Sequence, residues 1–118
     1  CPRWVDLVEE GRTSGPEVTA EIRRCLRPML DAGIDTLVLA CTHYPALTGA
    51  ISAVLGPDVR IIDPAPAVAA QTARLARRRG IHSGRSRTEL VSTGDRDRLL
   101  AAAERLGIVA PARLLALG

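Results

Sequence analysis

The sequence contains no Phe and no Lys, and only one Trp and one Tyr. Hydrophobic residues make up 47% of the 118 positions, enough for one small domain to bury a core, and that core has to be aliphatic. The shortage of rings also removes the stacking surfaces on which single strands and RNA bases are held. The net charge of +3 rests on Arg alone. A modest basic excess attracts anions, but beside so much Ala it reads as compositional bias, and no nucleic-acid partner is expected. No stretch has the length and apolarity of a membrane span, and no signal peptide is visible, so no membrane partner is expected.

Cysteine is scarce as well. Cys1, Cys25 and Cys41 are odd in number, contain no CxxC and match no zinc spacing. That argues against a disulfide framework and a bound metal, and fits a reducing compartment. The chain opens on Cys1-Pro2 without an initiator Met, as a processed product or a piece of a longer protein would.

What is present alternates. Residues 1–15 carry Glu9 and Glu10 and then a Gly-Arg-Thr-Ser-Gly loop. Ser14 is expected to cap a helix that Pro16 opens, with Val18, Ile22, Leu26, Met29 and Leu30 at helical spacing and Gly33 as its stop. The apolar run over 36–40 reads as a strand buried on both faces, hence of the parallel type. Pro45 starts a helix with Leu47, Ile51, Val54 and Leu55 on its apolar face. A second buried strand spans 59–62. Asp63 then caps a helix over about 64–79, with Val68, Thr72 and Leu75 inward. Residues 81–88, His82 among them, read as an exposed polar loop. A strand over 89–93 turns at Gly94-Asp95 into a helix through Leu99, Leu100, Ala103 and Leu106, and residues 113–117 suit a last short strand. The fold class expected from this order is α/β, a mostly parallel sheet with flanking helices.

Ligands of open α/β sheets sit outside the carboxyl ends of the strands, and Cys41 stands at such an end. A helix start just beyond it is expected to favour a thiolate, and His43 is placed to tune or protonate the sulfur. Thr42 is placed to present its hydroxyl and N–H to an anion. Position alone leaves Cys41 open between core packing and a displayed thiol. Cys25, inside a helix, suits packing. Asp63 and Thr93-Gly94-Asp95 also follow strands, where capping and turn formation account for them.

Cys41-Thr42-His43-Tyr44-Pro45, after an apolar strand, resembles the second-cysteine motif of the glutamate racemases in the aspartate/glutamate racemase superfamily. Cys1-Pro2 and Leu7-Val8-Glu9-Glu10-Gly11 resemble the segment that precedes it in that family. Ile61-Ile62-Asp63-Pro64-Ala65 and Val91-Ser92-Thr93-Gly94-Asp95 resemble its later strands. The resemblance covers nearly the whole chain and implies a cofactor-independent bacterial cytoplasmic enzyme. Such an enzyme interconverts L- and D-glutamate for peptidoglycan synthesis, with a small-molecule substrate and a homodimer possible for the full-length form. Two cysteines would face each other across the substrate. Carried over, Cys41 is one of them, His43 assists it, Glu9 orients or charge-balances His43, and Thr42 binds a substrate carboxylate. The family fold has two pseudosymmetric lobes. By resemblance, residues 1–63 are the C-terminal part of the second lobe and carry the catalytic Cys, while 64–118 return to the first.

The same resemblance implies a departure. The motif that carries the family's other cysteine is not in this sequence, and neither Cys1 nor Cys25 sits in it. The chain alone is therefore expected to be inactive. Three alternatives remain: another racemase or isomerase of the superfamily, acting on aspartate, hydantoins or maleate; a cysteine hydrolase built on Cys41 and His43; and a non-catalytic binding or assembly module using Arg74, Arg77, Arg78 and Arg79. A solvated helix terminus accounts for that Arg run more simply.

Overall fold

The computed structural model describes residues 1–81 and 87–115. His82 and the end of the expected last strand, residues 116 and 117, lie outside the described residues. The chain forms two units, Cys1–Gly80 and Ile81–Gly118.

The first unit begins with a helix that was not expected. α1 spans Pro2–Glu9, where Pro2 suits the first turn because its missing N–H has no intrahelical partner there. Trp4 and Leu7 point inward, while Arg3 reaches Glu10 across the outer face. α2 spans Pro16–Asp31 and buries Val18, Ile22 and Leu26, as their spacing requires. Met29 falls on the same stripe by spacing but sits in the last turn of the helix, where it is 43% exposed. Ser14 does not cap α2. The N-cap is Gly15 at φ +105° with no side-chain cap, and the hydroxyl of Thr19 donates to its carbonyl at 3.0 Å. Gly33, at φ +72°, ends the helix in the left-handed region that suits glycine.

β1 (Thr36–Val38) and β2 (Arg60–Ile62) pair in parallel, with Leu37 opposite Ile61 and Val38 opposite Ile62. The connection carries a 3-10 turn over Tyr44–Leu47 and then α3, Thr48–Leu55. Leu47, Ile51 and Leu55 are buried with Trp4, Leu7, Leu39 and the α2 stripe in one core. Leu37 and Ile61 pack on that core, whereas Val38 is 55% exposed and Ile62 37%. The expectation of strands buried on both faces is thus corrected. Side chains alternate along a strand, and among the described residues of this unit only one side of the ladder is covered. α4 (Ala65–Arg78) is corrected in the same way. It buries no residue, with Val68 62% and Leu75 41% exposed, because nothing among the described residues of the unit is packed over that stripe. Asp63 does act at its start, accepting from Ala65 N at 2.9 Å.

The described residues of the second unit form a βαβ crossover. β3 (Leu90–Ser92) and β4 (Ala112–Leu114) are parallel and are joined by α5, Arg96–Arg105. Asp95 caps α5 by accepting from the N–H groups of Asp97 and Arg98, and these bonds hold its carboxyl below the usual range. Ala103 is buried, but Leu106 is exposed because α5 has already ended at Arg105.

Candidate functional site

Past β1 the chain runs through Leu39 and Ala40 to Cys41. The amide of Leu39 still donates to Ile62 O at 2.9 Å, so the ladder anchors the backbone up to the motif. The motif itself folds as consecutive turns, with Tyr44 N donating to Cys41 O and Ala46 N to His43 O. The expected α-helix start beneath Cys41 is not realised. Pro45 lies inside a single 3-10 turn, and the α-helix proper begins only at Thr48. The turn runs directly into α3, so the helical segment that follows Cys41 and Thr42 opens at Tyr44 in 3-10 geometry, as helix N-termini frequently do.

What stands beside Cys41 is His43. Its Nδ1 lies 3.9 Å from Cys41 Sγ and 3.5 Å from Thr42 Oγ1, and its Nε2 lies 3.4 Å from Glu9 Oε1. Both His43 and Glu9 are about a third exposed, at 34% and 28% of the side chain. The order carboxylate, imidazole, thiol has a chemical sense. A carboxylate at Nε2 favours the proton on that nitrogen, which leaves Nδ1 to accept from the thiol. Once Nδ1 has accepted, Glu9 balances the imidazolium charge. The structure brings Glu9, Thr42, His43 and Cys41 together, and it does so through α1, whose last residue is Glu9.

Cys41 and Thr42 also line an open cavity of about 450 Å³, with Asp63 as a further polar group and Leu39, Pro45 and Val68 among the apolar ones. That size and mixture suit a small-molecule site. Cys25 is elsewhere. It packs against the core from α2, and its Sγ donates to Glu21 Oε1 at 3.4 Å. Cys1 is exposed.

Sequence reasoning missed two neighbours of this site. Trp4 meets Tyr44 edge-on with ring centroids 4.9 Å apart, and the Tyr44 hydroxyl donates to Cys1 O at 3.3 Å. Burial, the first cause, and the nearby Cys41 push the Tyr44 phenol above its ordinary range. The only signal available was the helical spacing of Trp4, Leu7 and Val8, three residues in a short segment.

Residues 1–72 match the Asp/Glu/hydantoin racemase family, and the chain belongs to it. A glutamate racemase of Symbiobacterium thermophilum is 48% identical over 109 residues, which is 90% of this chain and 39% of that protein. The crystal structure of glutamate racemase from Thermus thermophilus in complex with β-chloro-D-alanine superposes with a TM-score of 0.83 at 41% identity, covering 99% of this chain and 46% of that one. A glutamate racemase isoform from Bacillus anthracis gives 0.81 at 31% identity, covering 95% and 43%. The chain thus spans less than half the length of these relatives. No helix among the described residues is long and apolar enough to cross a membrane.

Proposed function

We propose that these residues supply one of the two proton-transfer faces of a glutamate racemase, with Cys41 as the reacting thiol. The observation that carries this reading is the Glu9–His43–Cys41 arrangement, with Cys41 lining an open cavity of about 450 Å³. Inversion at a carbon needs a base on one face and an acid on the other. A thiol of ordinary pKa, about 8.5, is mostly protonated near neutrality, so a neighbour that takes its proton makes it a base. In one direction His43 accepts the Cys41 proton and the thiolate removes the α-proton of glutamate. In the other the Cys41 thiol delivers a proton to the same carbon. The α-carbon is a much weaker acid than a thiol, and the carbanion-like transition state needs positioned donors. Thr42 is proposed as one, through a substrate carboxylate.

The opposite face would come from the part of the relatives that this chain does not span. The bare side of the β1–β2 ladder and the exposed stripe of α4 support that view, because parallel sheets normally have both faces covered. We assign residues 1–63 to the lobe that carries Cys41 and residues 64–118 to the return into the other, and we place the complete enzyme in the bacterial cytoplasm.

With one thiol face only, the 118-residue chain should not racemise. Incubation with D- or L-glutamate, followed by circular dichroism, is expected to give no change in optical activity. Turnover by the chain alone would overturn the two-face reading.

A further inference from the structure

The Glu9–His43–Cys41 arrangement depends on where α1 lies against the turn that holds His43. Glu9 is the last residue of α1, and two other contacts tie the same helix to that turn. One is the edge-on packing of Trp4 on Tyr44, the neighbour of His43. The other is the hydrogen bond from the Tyr44 hydroxyl to the carbonyl of Cys1, the N-cap of α1. Trp4 and Glu9 are five positions apart, about 7.5 Å along a helix. The turn is therefore gripped at two separated points, which fixes both the rotation and the advance of α1. Trp4 is 2% exposed. Among the described residues its Nε1 has no hydrogen-bond partner, a costly state for a buried donor.

We propose that Trp4 and Tyr44 are positioning residues for the proton-transfer site. Their packing keeps His43 within reach of Glu9 on one side and of Cys41 on the other. The inference rests on the reading of Cys41 as the reacting thiol, but it is tested without substrate.

The measurement is the rate of alkylation of Cys41 by iodoacetamide in the 118-residue chain near neutral pH, followed by mass spectrometry of the peptide that contains Cys41. His43→Ala is expected to slow the reaction about fivefold, because the thiol loses its proton acceptor. Trp4→Leu keeps an apolar side chain but removes the ring, and should slow it almost as much. In the His43→Ala background Trp4→Leu should change nothing further, since Trp4 acts through His43. Trp4→Phe should stay within about twofold of the parent, since an edge-on ring contact is retained. If Trp4→Leu does not fold, Tyr44→Phe takes its place. It loses only the hydroxyl, and it too should slow alkylation in the parent background alone.

Alkylation at the parent rate in the variant measured would overturn the proposal. So would a change of equal size in both backgrounds, which is what general loosening of the fold produces. Failure of the functional reading looks different: the alkylation pattern holds, but the segment cannot support racemisation when built into a complete racemase.

Discussion

Two cysteines of this chain are half-buried, and their surroundings set them apart. Cys25 faces Glu21 on its own helix, and burial, reinforced by that carboxylate, pushes its thiol up. Cys41 faces an imidazole that is itself backed by Glu9. At pH 8, Cys25 should therefore be alkylated more slowly than the cysteine of a short unstructured peptide. Glu21→Gln should speed it without reaching the peptide's rate, because burial remains. Site-resolved mass spectrometry checks both, and Cys25 reacting as fast as the peptide would contradict the assignment. Helical spacing was enough to place Cys25 in the packing of α2. It was not enough for Cys41, whose position at a strand end fits a packed thiol and a reactive one equally. The family resemblance singled out Cys41, with His43 and Glu9 beside it, and the structure adds the geometry, with Glu9 of α1 at 3.4 Å from His43.

At the scale of elements, long-period patterns were readable and short ones were not. Val18, Ile22 and Leu26 define α2 over sixteen residues, whereas α1 has eight and offers two buried positions. With Glu9 and Glu10 at its end, that segment reads as easily as an acidic loop. α4 poses the converse problem. Its apolar stripe is plain in the sequence, but a stripe does not say whether anything covers it. The expected energetic consequence separates the two helices. Ile22 is fully buried, so Ile22→Ala should cost about 2–5 kcal/mol. Val68 is exposed, so Val68→Ser should stay within about 0.5 kcal/mol in this chain. Urea denaturation followed by far-ultraviolet circular dichroism gives both values. A Val68→Ser penalty as large as that of Ile22→Ala would mean that α4 is packed after all.

At the scale of the whole molecule, strand–helix alternation was legible as an α/β fold with parallel pairing, and both ladders are parallel. The extent of the sheet was not legible. An apolar run such as Thr36-Leu37-Val38-Leu39 carries the same residues whether a layer covers it on one side or on two. Among the described residues each sheet has two strands, and in the first unit Val38, Ile62, Val68 and Leu75 remain exposed. The chain spans 46% of the Thermus thermophilus racemase, and these exposed apolar residues agree with the proposal that the opposite face comes from the part of the relatives it does not span.

The central claim is that Cys41 serves as one face of a two-face proton transfer on glutamate, and a transplant tests it most directly. The 118 residues replace the equivalent segment of the Thermus thermophilus enzyme, to which they are 41% identical. D-glutamate formation from L-glutamate is then followed by circular dichroism, with and without Cys41→Ser. The chimaera is expected to racemise glutamate and to lose about 10²–10⁴-fold in kcat on Cys41→Ser. A chimaera that folds but is inert, or one that keeps its rate with serine at position 41, would contradict the claim.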